Sequence, residues 1–273
     1  MEPIVALTIA GSDSGGGAGI QADIRTFSAF EIHSTSAITA VTAQNTLGVG
    51  AVHYIDSTNV VAQIEAVLTD FTVRAVKTGM LGQPSTVHAV ADLAREGRLA
   101  PLVVDPVLVS TTGYSLMSDG GVEAYREALI PYATVLTPNL REAAILCDID
   151  VRDVTTLEDM VELGRQLQRR GASYVLVKGG HFAGAAAVSM RAPDVLVGAG
   201  DVIVFDATRI DTDNDHGTGC TLSSAIAAGL AYGRSVPDST RDAKSFVLAA
   251  LTSATTWRLG HGRGPIDQFG WNA

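Results

Sequence analysis

Short apolar runs alternate along this chain with longer segments whose apolar positions recur at helical spacing. Strands are predicted over residues 5–10, 36–42, 75–78, 102–105, 134–136, 174–177 and 202–206. Several of these runs are apolar at every position, as strands of a parallel sheet covered on both faces must be. Helices are predicted over 20–31, 60–68, 86–96, 122–129, 141–146 and 157–170, with two longer ones near 220–232 and 238–258. Thr155 and Glu158 have the spacing of a capping box opening the 157–170 helix. The stretches 185–190 and 195–204 are predicted as an antiparallel meander at the sheet edge. No repeat, linker or charge block divides the pattern, so it implies one doubly wound α/β domain over residues 1–273.

Composition narrows the partners. The 273 residues are 47% hydrophobic and 18% charged, enough for a sizeable core. A formal net charge of −10 argues against nucleic acid and against a membrane surface, because both present phosphates that this charge would repel. No apolar run approaches the length that crosses a bilayer. The start, Met1-Glu2-Pro3-Ile4, has no basic leader and passes directly into a strand. With only two cysteines, Cys147 and Cys220, a disulfide framework is not expected and a cytoplasmic location is.

In a doubly wound sheet ligands bind beyond the carboxyl ends of the strands. The residues falling there are Gly11, Gln44, Thr78-Gly79-Met80, Asp105, Asn139 and Lys178. The run Asn214-Asp215-His216-Gly217-Thr218-Gly219-Cys220 opens directly into an Ala-rich helix. A helix start presents unpaired N–H groups and positive partial charge, which suits a phosphate; an ordinary glycine turn before a core helix has the same local pattern. The run Gly11-Ser12-Asp13-Ser14-Gly15-Gly16-Gly17-Ala18-Gly19 lacks the Lys-Ser/Thr of a P-loop and has Asp13 where a nucleophile elbow needs Ser. It reads as a flexible loop approaching a ligand, with Asp23 in the next helix as a polar anchor. Gln44-Asn45 offers paired donors and acceptors for a polar heterocycle, or merely stabilises a turn. Asp105 can hold Mg²⁺ or cap a loop. Asn139 and Glu142, three apart at a helix start, can organise water around magnesium or form a plain capping pair. Lys178 is a point charge suited to polyphosphate. His181, His33, His53 and His88 read as structural or solvent-facing. His216 and Cys220 lack a second pair to complete a zinc set.

Taken in order, these segments resemble those of the ribokinase superfamily, above all its hydroxymethylpyrimidine/phosphomethylpyrimidine kinases of thiamine biosynthesis. The resemblance runs through 10–23, 39–46, Lys77-Thr78-Gly79-Met80-Leu81, Asp105-Pro106-Val107, Thr137-Pro138-Asn139 with Glu142, 177–181 and 216–223. It implies a ribokinase-like fold, a mostly parallel central sheet with helices on both faces. It also implies ATP-dependent phosphorylation of 4-amino-5-hydroxymethyl-2-methylpyrimidine and its monophosphate, with Mg²⁺ as cofactor and a homodimer as assembly. Gly11, Asp23, Gln44, Met80 and Val107 would line the pyrimidine site. Asp105 and Glu142 would serve the metal, and Asn139, Lys178, Thr218 and Gly219 the nucleotide. Gly217, Gly219, Cys220 and Lys178 would stabilise the transferring phosphoryl group. The Cys220 thiolate is favoured as the proton acceptor over a mere contact residue, since a helix N-terminus can depress a thiol pKa. Two alternatives are a pyridoxal kinase of the same architecture and a non-catalytic pyrimidine or nucleotide sensor. One departure stands out: relatives usually carry a lysine within the stretch that reads Val109-Ser110-Thr111-Thr112-Gly113 here.

Overall fold

The computed structural model describes residues 2–109, 116–180, 191–198 and 200–271. Its strands are β1 (Val5–Asp13), β2 (His33–Asn45), β3 (Gly48–Tyr54), β4 (Val73–Thr78), β5 (Leu102–Val104), β6 (Val135–Leu136), β7 (Tyr174–Lys178), β8 (Asp194–Val197) and β9 (Val202–Phe205). They form one sheet in the order β3-β2-β1-β4-β5-β6-β7-β8-β9. The six strands from β2 to β7 in that order run parallel. Antiparallel strands flank them, β3 on one side and β8 with β9 on the other. The helices are α1 (Gly19–Ala29), α2 (Ser57–Leu68), α3 (Pro84–Arg95), α4 (Gly121–Ala124), α5 (Leu140–Cys147), α6 (Leu157–Arg169), α7 (Thr218–Ala231) and α8 (Val236–Ala254). A π-helical turn, Tyr125–Leu129, extends α4.

The period-two alternation of each strand divides the core. Leu7, Ile9, Val76, Leu102, Val104, Leu136, Val175 and Val177 pack with α2, α3, α5 and α6 on one face. Ala6, Ala75, Val103, Val135 and Leu176 pack with α7 and α8 on the other. Both faces are dry, which is why these strands read as continuous apolar runs. The Ala-rich body of α7 matches its burial: small side chains let it lie close against the sheet.

Two local expectations change. The capping box of α6 sits one residue later than predicted: Thr156 Oγ1 accepts the Asp159 N–H, and Asp159 returns to the Thr156 N–H. Two side chains fit that box equally well in sequence, and only the helix register separates them. Strand β3 was not predicted, since its two glycines and exposed face give no apolar alternation; it is held by antiparallel pairing to an extended β2. The meander is realised as β8 and β9, while its 185–190 part lies outside the described residues. Among the described residues no helix is long and apolar enough to cross a membrane.

Candidate active site

The chain winds from β1 to β2 on one side and from β3 back to β4 on the other, so β1 and β4 bracket the topological switch point. A crevice opens there beyond the carboxyl ends, as strand reversal in an open sheet requires. The resulting cavity, about 360 Å³, runs from Gln44 on β2 across the sheet to residues 207–212 between β9 and α7. Gly11, Gln44, Met80 and Val107 line it together, with Ser12, Thr42 and Leu116 beside them. Asp105, Asn139, Glu142, Lys178, Gly217, Thr218, Gly219 and Cys220 line it too. Of the residues that the family resemblance assigns to the site, only Asp23 stays outside the cavity wall.

Gly217 makes the tight turn into α7 possible. It caps α7 with φ of 86°, in the left-handed region, and a Cβ there would lie 1.9 Å from the Gly17 carbonyl oxygen. Two glycine loops therefore touch backbone to backbone. The Thr221 N–H already bonds the Gly217 carbonyl at 2.8 Å. The amides of Gly219 and Cys220 lie in the first turn, ahead of the helical ladder, and offer donors toward the cavity. A Cβ on Gly219 would stand 3.2 Å from Lys178 Nζ, so the same bare backbone faces the lysine.

Lys178 Nζ contacts Asp105 Oδ1 at 2.9 Å, and Thr137 and Ser223 hydroxyls add hydrogen bonds to that carboxylate. Burial opposes ionisation of Asp105, but Lys178 and Lys77 outweigh it and hold its carboxyl below the ordinary value. Asn139 and Glu142 do form the capping box of α5: Glu142 donates its N–H to Asn139 Oδ1 at 3.0 Å and accepts from the Asn139 N–H at 2.8 Å. Burial, aided by the Asp105 charge and resisted by Lys178, pushes the Glu142 carboxyl up to about 7. Among the described residues no three His, Cys, Asp or Glu side chains converge as a metal group. Two carboxylates in a cleft open to a polyphosphate and water nevertheless suit Mg²⁺, which keeps much of its hydration shell.

A carboxyl raised by folding binds its proton more tightly in the native than in the unfolded chain. Between the ordinary value of 4.5 and about 7 the native state holds more protons at Glu142, so its contribution to stability falls as pH rises through that window. With chelator present and no nucleotide, Glu142→Gln should become more stable relative to the native protein as pH rises from 4.5 to 7. Parallel denaturation midpoints across that range would remove this assignment.

The N-terminal glycine run is anchored. Asp13 is buried, and its carboxylate accepts N–H bonds from Gly15, Gly17 and Ala18 at 2.8, 3.0 and 2.9 Å. Burial opposes its charge, but the His216 hydrogen bond and these amides hold its carboxyl below the ordinary value. His216 Nε2 lies 2.9 Å from Asp13 Oδ2 and 3.2 Å from the Gln44 amide nitrogen. Sequence reasoning weighed His216 only as a metal ligand; its contact with Asp13 spans 203 residues and has no local signature.

Asp23 is the main correction. It is fully buried beneath the cavity, where its carboxylate binds Lys77 Nζ at 2.8 and 2.9 Å, Thr8 Oγ1 at 2.6 Å and Ser224 Oγ at 2.8 Å. Every lone pair it can offer is taken, so it joins α1, β1, β4 and α7 rather than anchoring a ligand. Lys77 itself was missed, although a lysine inside an apolar strand was a usable signal. Burial pushes the Cys220 thiol up to about 11, against a downward pull from Lys77, so a helix N-terminus alone does not make it a thiolate. The far end of the cavity was also not anticipated: Val247, Leu248 and Leu251 of α8 supply an apolar wall there, beside the mainly polar residues 207–212. The departure at 110–113 lies outside the described residues.

This arrangement presents donors and cations to an anion beside amide, thioether and apolar groups suited to a small heterocycle. The phosphomethylpyrimidine kinase family model matches residues 13–267. A hydroxymethylpyrimidine/phosphomethylpyrimidine kinase of Rhizobium meliloti strain 1021 is 47% identical, over 97% of each chain. The phosphomethylpyrimidine kinase structure from Clostridium difficile 630 superposes with a TM-score of 0.79 at 40% identity, covering 91% of this chain and 99% of that one. The ADP complex of Bacillus subtilis pyridoxal kinase superposes with a TM-score of 0.86 at 35% identity, covering 98% of both.

Proposed function

The chain belongs to the phosphomethylpyrimidine kinase family, and on that premise we propose that it transfers the γ-phosphoryl group of ATP to 4-amino-5-hydroxymethyl-2-methylpyrimidine and then to the monophosphate, in thiamine diphosphate biosynthesis. The carrying observation is that the Gly217–Cys220 turn, the Lys178–Asp105 pair and the heterocycle-lining Gln44 and Met80 share one cavity.

In this reading the pyrimidine lies against Gly11, Gln44, Met80 and Val107, with its hydroxymethyl group toward Cys220. The ATP phosphates reach Asn139, Lys178 and Thr218, and the base lies toward Val247, Leu248 and Leu251. Phosphoryl transfer depends on positioning and charge stabilisation more than on covalent help. The Gly219 and Cys220 amides and Lys178 meet the charge on the transferring group, while Asp105 keeps Lys178 in place. Asp105 and Glu142 would hold Mg²⁺, which supplies charge neutralisation to the phosphate oxygens. Cys220 is the nearest side chain in this pose to take the hydroxyl proton. Because its thiol sits near 11, turnover should climb with pH by about tenfold per unit from 7 upward if the thiolate does that work. Cys220→Ser and Cys220→Ala should lose that slope; near-normal kcat in both would reduce the residue to its backbone amide.

ADP release should be fastest, by kcat/KM, with hydroxymethylpyrimidine or its monophosphate in a panel that also holds pyridoxal and ribose. A preference for pyridoxal would make the chain a pyridoxal kinase, the activity of its Bacillus subtilis neighbour. Tight pyrimidine binding without turnover of any compound would make it a sensor. A homodimer in the cytoplasm completes this reading, and sedimentation velocity tests the assembly.

A further inference from the structure

We propose that Arg263 binds the phosphate of the monophosphate acceptor and so serves the second phosphoryl transfer rather than the first. This rests on the function proposed above and assigns a residue to one of its two steps.

The segment that follows α8 is laced to both flanks of the Gln44 end of the cavity. On the β2–β3 side, Thr46 Oγ1 accepts the His261 and Gly262 N–H groups at 3.2 and 3.1 Å. The Thr46 carbonyl accepts the Arg263 N–H at 3.1 Å. On the α7 side, Gly264 donates to the Asp213 carbonyl at 3.1 Å and accepts the His216 N–H at 3.0 Å. Both contacts are close: a Cβ on Gly262 would stand 2.1 Å from the Thr46 carbonyl oxygen, and one on Gly264 2.0 Å from Asn214 Oδ1. The Arg263 backbone is thereby fixed between the hairpin that carries Gln44 and the loop that enters Gly217. Its guanidinium lines the cavity and lies side-on to Asp215, with Nε donating to Oδ1 at 2.8 Å and Nη2 to Oδ2. A guanidinium carries five N–H groups. Asp215 takes two of them, and no described residue takes the other three.

A phosphorylated acceptor calls for such a group. A phosphate monoester carries a charge of about −1.5 to −2 at pH 7. In the second transfer one of its oxygens bonds to the γ-phosphorus while the bridging P–O bond breaks, and that electron pair leaves on ADP. The dianion has no proton to give up, but two anionic groups must approach, so compensating charge is the main requirement. With the pyrimidine at Gln44 and its phosphate toward the Gly217–Cys220 turn, the phosphate lies between the two flanks that Arg263 joins. Among the described residues, Lys77, Lys178, Arg209, Lys244 and Arg263 are the lysines and arginines lining the cavity. Lys77 is closed off by Asp23, and Lys178, paired with Asp105, serves ATP in this reading. Lys244, held by Asp194 at 2.6 Å, and Arg209 belong to the far end. Arg263 is the cation left at the Gln44 end with donors to spare.

The test measures kcat/KM for hydroxymethylpyrimidine and for its monophosphate at about pH 8, where the phosphate is a dianion. Arg263→Met should lower the monophosphate value by about 10- to 100-fold, mainly through KM, and the hydroxymethylpyrimidine value by no more than about threefold. Arg263→Lys should restore part of the loss, because it returns the charge without the fork. In Arg263→Met with Asp215→Asn the monophosphate value should stay low, since the donors are still missing. Its recovery there would mean that Arg263 only covers the Asp215 charge, and would overturn the inference. Equal losses on both acceptors in Arg263→Met, or no loss on the monophosphate, overturn it too. These substitutions leave the backbone contacts of the segment intact, so the fold should survive them. A native enzyme that phosphorylates hydroxymethylpyrimidine but not its monophosphate overturns this inference alone; turnover of neither overturns the functional reading as well.

Discussion

Gly217→Ala should cut kcat by roughly 10²–10³ while ADP affinity changes only a few-fold. The residue combines two demands that no side chain meets: a φ of 86° and a Cβ position 1.9 Å from the Gly17 carbonyl oxygen. An added methyl must therefore drive the two glycine loops apart. The loop anchored on Asp13 cannot yield cheaply, because three amides and His216 hold it. The displacement falls on the first turn of α7, whose Gly219 and Cys220 amides are proposed to meet the transferring phosphoryl group. Donor placement governs rate far more than ground-state binding, so kcat takes the loss. Steady-state kinetics with calorimetric ADP titration checks this, and a kcat within threefold of native would remove the turn from the chemistry.

Asp23→Ala should cost about 3–5 kcal/mol of stability, the loss expected when one partner of a buried ion pair is removed. Lys77 would keep its charge without its counter-ion, fully buried among β1, β4 and α7. For a chain of this size such a loss lowers Tm by on the order of 10 °C. Lys77→Met should cost a similar amount, since it strands the carboxylate instead. The double variant Asp23→Leu/Lys77→Met should recover much of either loss, because no unpaired charge remains. Additive losses in the double variant would show that each residue matters through separate contacts. Lys77 also pulls the Cys220 thiol downward, so under the proposed role of that thiol the pair should bear on turnover as well.

Glu142 and Asn139 were legible as a pair because a capping box is local, and the structure joins it to the cavity. Lys178, Gly217 and Gln44 were legible because strand ends and helix starts carry their own residue signals. Asp23 was misassigned for the same kind of reason: a polar residue on a helix behind a glycine loop looks like an anchor until its burial is known. Lys77 was overlooked despite its place inside an apolar strand, and His216 was weighed only as a metal ligand because its contact with Asp13 leaves no local trace. Strand β3 was invisible because its pairing, not its composition, makes it a strand.

By itself the sequence determined the succession of strands and helices, the burial of the sheet on both faces, and the backbone freedom of the anion turn. These follow from side-chain period, apolar content and glycine, all of which act over a few residues. The tertiary structure decided which polar groups meet: Asp23 with Ser224 across 201 positions, Asp13 with His216 across 203, and Asp105 with Lys178 across 73. Those meetings depend on strand order, and strand order leaves little local trace. Similar apolar runs can bury similar area in several orders, but only one order brings these charges and amides to the same crevice.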